Sequence, residues 1–212
     1  MQLYTCGQVL RMHKENERDI EKLQRKYCKW RKTRMISNTN TLQEVYWSAV
    51  EYHNWKLHLA ATNKGLCCLT LPNGSFDTLA HWVNLHIPHA HLIEDPEALA
   101  VYEKQVLEYL QGQRTTFTFP LDFRGTAFQV SVWQALTRIP YGETRSYSEI
   151  AQVVQRPKAI RAVGAANGAN PIPIVVPCHR VIGKNGNLTG FRGGLDIKAE
   201  LLRHEGKRER VS

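Results

Sequence analysis

The sequence predicts a mixed α/β chain of the α+β kind, in which a small sheet-bearing domain precedes a mostly helical one. Three observations predict it: strand-like runs cluster between residues 44 and 71, capped helix starts recur at Asp95, Thr126 and Ser146, and the charge changes sign along the chain. Residues 1–36 carry ten Lys/Arg against four Asp/Glu, a net of +6. Residues 37–119 carry four against eight (net −4) and residues 120–212 fourteen against seven (net +7), within an overall +9. These steps divide the 212 residues into a basic extension over 1–36 of unassigned role, a small domain over 37–119 and a second domain over 120–212. At 42% hydrophobic residues the chain has material for a core. No apolar run approaches the ~18 residues of a membrane helix, and Met1-Gln2-Leu3-Tyr4-Thr5-Cys6 lacks a secretory signal pattern. Five cysteines without C-x-x-C pairs fit reduced intracellular thiols, so a cytoplasmic location is expected. The basic ends attract polyanions, nucleic acid first among them; a solvated basic face is the plainer reading of the same charge.

Residues 14–34 carry Ile20, Leu23, Tyr27 and Trp30 on one stripe at helical spacing. They read as a solvated helix or extension, with a DNA-contacting or partner-docking helix as the other reading. Ser37-Asn38-Thr39-Asn40-Thr41 is turn-rich and marks the first boundary. Runs over 44–52, 56–61 and 65–71 predict strands, with Cys67 and Cys68 in the core and Pro72-Asn73-Gly74 as a turn. A helix is expected over 76–85. His81, His86, His89 and His91 follow no zinc-ligand spacing and sit around Pro88 in an expected loop, so they read as surface histidines and no metal is predicted. Asp95-Pro96-Glu97 supplies a cap, a first-turn proline and an acid. The helix it opens runs to Gln111, buries Leu99, Tyr102, Val106 and Leu110, and stops at Gly112. Residues 115–121 are extended across the second boundary. Thr126 caps a helix to Leu136 with Phe128, Val132, Trp133 and Leu136 on its apolar face, ended by Ile139-Pro140-Tyr141-Gly142.

Ser146 and Glu149 form a capping-box pattern at the head of a helix reaching Val154. Pro157 breaks it and opens a second helix, Lys158 to Asn167, with Gly168 past its end. Two short helices across a tight turn match helix-turn-helix spacing. Ala162, Gly164, Ala165 and Ala166 would let the second backbone approach a groove closely, with Arg161 as its central cation; close helix packing would ask for the same small residues. Further on, the strand-like run Ile174-Val175-Val176 is interrupted by Pro177, which has no N–H, and resumes at Val181-Ile182 until Gly183. Between the two runs stand a thiol, an imidazole and a guanidinium. The thiolate is the nucleophile, and an unperturbed thiol of pKa ~8.5 is only a few per cent ionised at neutral pH. A neighbouring base or cation raises that fraction, which gives Cys178-His179-Arg180 a chemical logic; a buried inert cysteine is the alternative.

Pro177-Cys178-His179-Arg180-Val181, preceded by Asn170-Pro171 and by the helix pair over 146–166, resembles the 6-O-alkylguanine-DNA alkyltransferase family, the methylated-DNA–protein-cysteine methyltransferases, and within it the bacterial adaptive-response type. The resemblance runs over about residues 42–206 and includes Leu121-Asp-Phe-Arg-Gly-Thr-Ala-Phe-Gln129. It implies a small ribonuclease-H-like N-terminal domain and a helical alkyltransferase domain with a DNA-binding helix-turn-helix. It further implies transfer of a methyl or larger alkyl group from O6 of guanine in double-stranded DNA to the protein's own cysteine. The base is flipped out through the minor groove, the chain reacts once, and no cofactor is used. O4-alkylated thymine stays open as a second substrate. A monomer is implied, at the nucleoid in a bacterium or in the nucleus of a eukaryote.

By the same resemblance Cys178 is the alkyl acceptor, His179 the base that draws its proton through a bound water, and Glu205 the acid that orients His179. Asn170 is the hinge that braces the active-site turn. Tyr147 presses on the target's 3′ phosphate and donates to the leaving guanine. Arg161 fills the gap in the base stack from the minor groove, and Lys158, Ala162 and Ala165 face the DNA. Pro173, Phe191 and Arg192 line the pocket, with backbone groups near Cys178 and Val181 reading the guanine edge. Neighbours in an extended chain point to opposite sides, so Cys178 and His179 are expected not to bond directly. Gly193-Gly194 stands where some relatives carry a bulky residue, which predicts a roomier pocket that accepts benzyl-sized adducts. The 1–36 extension lies outside the resemblance. Two other classes compete: a non-catalytic DNA-binding regulator of the alkylation response, and a Cys-His hydrolase, which would leave the basic helix pair without a purpose. Lesion-sensing relatives have Trp at the cysteine position, so Cys178 sets this chain with the repairing proteins.

Overall fold

Four strands form the N-terminal sheet, in the order β3-β2-β1-β4. In this computed structural model residues 42–72 and 74–206 are described, so the 1–36 extension with its amphipathic stripe, the 37–41 linker and Asn73 lie outside the described residues. Strand β1 (Gln43–Tyr52) turns at His53-Asn54 into antiparallel β2 (Trp55–Thr62), which turns again into β3 (Gly65–Leu69). Helix α1 (Phe76–His86), capped by Ser75, crosses over to β4 (Ala90–Glu94), which runs parallel to β1. Helix α2 (Pro96–Leu110), capped by Asp95 with Pro96 in its first turn, ends with Gly112 at φ 72°, as its sequence signals require.

Alternation along β1 separates the two faces. Val45 and Trp47 join Ala60, Cys67, Cys68 and the α1 residues Leu79 and Val83 in one apolar cluster. The opposite parity, Tyr46, Ser48 and Val50, pairs across to Ala61, Leu59 and Leu57, while α2 packs on β1 and β2. Covered on both faces, β3 is buried throughout, and Cys67 and Cys68 are free thiols in the core. The loop expected around Pro88 spans 87–89, and strand β4 after it was not foreseen. It is an edge strand of half-buried and exposed residues, so its alternation is weak in the sequence. His86 bonds the Trp82 carbonyl at 2.8 Å and stacks on that indole, and no group of three metal-ligating side chains is gathered among the described residues.

The C-terminal half is seated against the open edge of β3. Leu66 N–H donates to Pro120 O at 3.0 Å, Asp122 N–H to Leu66 O at 2.8 Å, and Leu69 N–H to Pro171 O at 2.9 Å. Gly65 permits this approach: it has φ 146°, and a Cβ there would lie 2.3 Å from Pro120 O. Helix α3 (Ala127–Leu136) begins with the full Thr126/Gln129 capping box, and Trp133 is buried with its Nε1–H on Ala166 O at 2.8 Å. Helix α4 (Tyr147–Val153) carries the predicted Ser146/Glu149 capping box. The second helix of the pair, α5 (Ile160–Gly168), starts two residues later than expected. Lys158 sits instead on the connecting turn, where Ala159 N–H bonds Arg156 O at 2.8 Å before the helix can begin. Helix α6 (Leu195–Gly206), not foreseen, buries Ile197, Leu201 and Glu205 at fourfold spacing. Among the described residues no helix is long and apolar enough to cross a membrane.

The expected strand at 174–176 does not form. Residues 172–176 make a buried turn, closed by Val176 N–H on Ile172 O at 2.8 Å, with Ile174 at φ 73°. The run is apolar because the turn is buried on all sides. The Asn170 amide replaces a neighbouring strand, donating to Val176 O at 2.8 Å and accepting from Ile172 N–H at 3.0 Å. Cys178–Arg180 then form a single 3-10 turn, and β6 (Val181–Ile182) pairs in parallel with the short β5 (Arg145–Ser146).

Candidate active site

Cys178 opens the 3-10 turn and is 4% exposed. Burial pushes its thiol pKa up, against the Asn170 amide and the Arg192 and Lys198 cations, which pull it down. The adjacent His179 is fully buried, and its Nε2 lies 2.8 Å from Glu205 Oε1. Burial lowers the imidazole pKa against the pull of Glu205, so the ring is neutral at neutral pH. Burial would raise the Glu205 carboxyl, but hydrogen bonds and charge from His179 and Arg180 hold it far below the usual carboxylate range. An ionised Glu205 accepts the Nε2–H proton, which fixes the tautomer and leaves Nδ1 as a bare acceptor. Nδ1 is buried without a partner, as is Asn167 Oδ1, whose amide nitrogen donates to Cys178 O at 3.3 Å. Two buried acceptors are therefore unengaged, one on the residue next to Cys178 and one on Asn167, a wall of its cleft.

Arg180 serves the carboxylate and not the thiol, contrary to the cation-beside-thiol expectation. Its Nε and one terminal nitrogen each donate to Glu205 at 2.9 Å, and the other donates to Ile139 O at 2.6 Å. The cations that act on Cys178 are Arg192, bonded to Asn170 O at 3.1 Å, and Lys198. Sequence reasoning missed Lys198. It is fully buried in α6, with Nζ donating to Val181 O at 2.6 Å and Thr189 O at 2.8 Å and lying 6.0 Å from the Tyr147 ring centre. A lysine inside the Ile197–Leu201–Glu205 stripe was the available signal.

A cleft with about 10 Å³ of free volume adjoins the thiol, lined by Asn167, Gly168, Asn170, Pro173, Phe191 and Arg192 together with Cys178, Gly190 and Leu71. The predicted Pro173, Phe191 and Arg192 are thus brought together with Cys178 and Asn170. Val181 is not among them, which corrects its placement in the pocket. Its side chain is fully buried, its N–H bonds Cys178 O and its carbonyl is taken by Lys198. Leu71, from the N-terminal half, was not foreseen as a wall. It also alters the glycine expectation: a Cβ on Gly193 would meet Leu71 Cδ1 at 2.9 Å and Phe191 at 3.1 Å, so that space is already filled. Tyr147 is half-buried at the head of α4, its hydroxyl shared between Thr189 O at 3.1 Å and Gly190 O at 3.3 Å. On α5, Arg161, Ala162 and Ala165 are exposed while Val163 and Ala166 face inward, and Asn167 and Gly168 at its end reach the cleft.

Such a site, a buried thiol beside a neutral, carboxylate-oriented imidazole at the foot of a helix-turn-helix, defines a cysteine-nucleophile protein with an exposed helix pair. Comparison with known proteins gives the family. Residues 45–123 match the ribonuclease-like domain of 6-O-methylguanine DNA methyltransferase, and residues 127–207 match its DNA binding domain. The inducible methylated-DNA–protein-cysteine methyltransferase of Bacillus subtilis is 48% identical over 168 residues, 79% of this chain and 92% of that one. The corresponding Methanosarcina barkeri protein is 44% identical over 161 residues, 76% and 97% of the two chains. The crystal structure of Mycobacterium tuberculosis OGT in complex with DNA superposes with a TM-score of 0.67 at 42% identity, covering 77% of this chain and 94% of that one. This chain belongs to the 6-O-methylguanine DNA methyltransferase family.

Proposed function

We propose that the chain repairs DNA by moving an alkyl group from O6 of guanine onto Cys178, once per molecule. The reading is carried by one juxtaposition: Asn167 and Gly168, at the end of the helix whose exposed face carries Arg161, also line the cleft of the buried thiol. Arg161, exposed and without a hydrogen bond or ion pair among the described residues, takes the place of the extruded base. Lys158, Ala162 and Ala165 face the duplex. Extrusion costs a few kcal/mol, less for a poorly paired lesion.

In the reaction His179 Nδ1 draws the Cys178 proton through a water, and the thiolate attacks the alkyl carbon in line. The S–C bond forms, the C–O6 bond breaks, and guanine leaves as an anion that takes a proton from the Tyr147 hydroxyl. To admit a purine into so narrow a cleft, Tyr147 exchanges its bonds to Thr189 and Gly190 for contacts with the base. Asn170 holds the turn that carries the thiol, and Pro173, Phe191 and Arg192 enclose the base. Among the described residues no second nucleophile lines the cleft to cleave the product thioether, which makes the protein a single-use reagent of the cytoplasm and nucleoid. The domain seam is assigned near residue 120, with the sheet half as scaffold. The test is to incubate the protein with an oligonucleotide containing O6-methylguanine and weigh it. A methyl-sized gain in mass that Cys178→Ala abolishes is expected; DNA binding without any gain would refute the reading in favour of a regulator.

A further inference from the structure

Glu205 draws one of its donors from the other half of the protein. Tyr109 sits near the end of α2, fully buried, and its hydroxyl donates to Glu205 Oε1 at 2.6 Å, shorter than the contacts of the same oxygen with His179 (2.8 Å) and Arg180 (2.9 Å). Its ring is fixed edge-on to Tyr141 with centroids 6.0 Å apart, and further by Phe117 and His204. One residue before Glu205, His204 Nε2–H donates to the Tyr109 carbonyl at 2.8 Å. α2 and α6 are therefore tied at two adjacent points, only one of which touches the carboxylate.

We infer that Tyr109 is a positioning residue for alkyl transfer, holding Glu205 in the orientation from which it directs His179. The inference rests on the alkyl-transfer reading above. Its physical basis is the sharing of one oxygen among three donors. Each donor drains acceptor strength from Oε1, so the tyrosine hydroxyl limits how strongly the carboxylate pulls the Nε2–H proton. It also ties the carboxylate to α2. Burial and the Glu205 charge both push the Tyr109 pKa up, so the hydroxyl stays protonated and donating across the working pH range. The other groups facing the Glu205–His179 pair are Arg180 from the 3-10 turn, Lys198 of α6, Gly142 N–H at 3.1 Å from Oε2, and the neighbouring Cys178 and Tyr141. None of these bonds is altered by removing the Tyr109 oxygen.

Tyr109→Phe keeps the ring and deletes the bond. With one donor fewer, Glu205 grows more basic and the imidazolium form of His179 is favoured, so the acid limb of the rate–pH profile moves to higher pH. Losing a group that orients a working histidine costs about 10- to 100-fold elsewhere; for one of several donors the expected fall in the transfer rate constant is about tenfold. His204→Ala is the control, since it removes the adjacent inter-helix bond and one contact of the Tyr109 ring while every donor to Glu205 remains. It is expected to lower the melting temperature without moving the acid limb. Rates are read as alkylation of Cys178 by O6-methylguanine DNA and by free O6-benzylguanine across pH, beside thermal unfolding of each variant. A Tyr109→Phe protein with the unaltered rate and profile, or an equal limb shift in His204→Ala, overturns the inference while the unaltered chain still transfers. An unaltered chain that takes up no alkyl group from either substrate would instead overturn the alkyl-transfer reading and this inference with it.

Discussion

Replacing Arg180 with leucine tests whether the cluster around Glu205 is a charge-balanced unit. The guanidinium gives Glu205 two hydrogen bonds of 2.9 Å and Ile139 O one of 2.6 Å, with Arg180 6% and Glu205 1% exposed. Removing one side of a buried ion pair costs about 3–5 kcal/mol, because the remaining charge keeps its desolvation cost. The freed Ile139 carbonyl adds about 1–3 kcal/mol. Burial of leucine returns about 2 kcal/mol, which leaves a net loss of about 4 kcal/mol near neutral pH. At roughly 2–4 °C per kcal/mol for a chain of this size, the melting temperature falls by about 10 °C. The pH dependence carries a sign. In the native protein the His179 pKa is lowered by burial, Glu205 opposing and Arg180 and Lys198 reinforcing. The unfolded chain therefore takes up that proton first, and native stability declines as pH falls below about 6.5. Without Arg180 the Glu205 charge dominates and the His179 pKa rises above its unfolded value. The variant then gains stability below about pH 6.5 and loses it as pH rises through the raised pKa. Urea unfolding followed by tryptophan fluorescence at about pH 5.5 and about pH 8 should show the gap between variant and native protein widening at the higher pH. A loss under about 1 kcal/mol, well short of the cost of a broken buried pair, or a gap that narrows with pH, would refute the reasoning.

Arg161→Ala removes an exposed side chain without a partner among the described residues, so stability should stay within about 0.5 kcal/mol of the native value. Transfer from methylated duplex DNA should nonetheless fall severely while reaction with free benzylguanine is unchanged; equal losses on both substrates would sink the stack-filling role. Leu71→Ala opens the cleft from the N-terminal side and should speed labelling of Cys178 by benzylguanine several-fold over its reaction with methylated DNA. It should cost about 2–4 kcal/mol of stability for the cavity it leaves. If benzylguanine fails to block Cys178 in the native chain while methylated DNA does, the cleft has been misjudged.

Local chemistry was the legible part of this chain. Asp95, Thr126 and Ser146 cap the helices that follow them, and the apolar runs at 44–69 became strands because both sheet faces are covered. What failed depends on tertiary contact. The 174–176 run is equally apolar as a buried strand or a buried turn, and the choice fell to the Asn170 side chain, which satisfies Val176 O and Ile172 N–H together. Strand β4 lies at an edge and is too weakly buried to show its period. The motif placed Cys178, His179 and Glu205 in the site. It did not place Lys198, whose partners are the carbonyls of Val181 and Thr189, nor Tyr109, which is 96 residues from Glu205 in the sequence. Backbone acceptors and partners remote in the chain leave no spacing to read.

A thiol consumed by its own reaction must be kept from reacting early, and the site is arranged to do so. Burial favours the protonated form of Cys178, and Nδ1 of the adjacent residue, His179, is buried without a hydrogen-bond partner. The Tyr147 hydroxyl ties down Thr189 and Gly190, and Gly190 is one wall of the narrow cleft, so water-borne electrophiles meet a buried, protonated sulfur. In the proposed reaction deprotonation becomes useful only when a base large enough to displace those bonds arrives, with Tyr147 then free to protonate the departing guanine. The sheet half belongs to this arrangement too: Leu71 narrows the cleft and Tyr109 grips the carboxylate, so both the entrance and the relay depend on residues outside the helical half. Loosening the seam at Gly65, where any side chain would strike Pro120, should therefore raise non-specific alkylation of Cys178 by iodoacetamide before it measurably weakens DNA binding. A Gly65→Ala protein whose thiol stayed as inert as the native one would show that the N-terminal half does not guard the site.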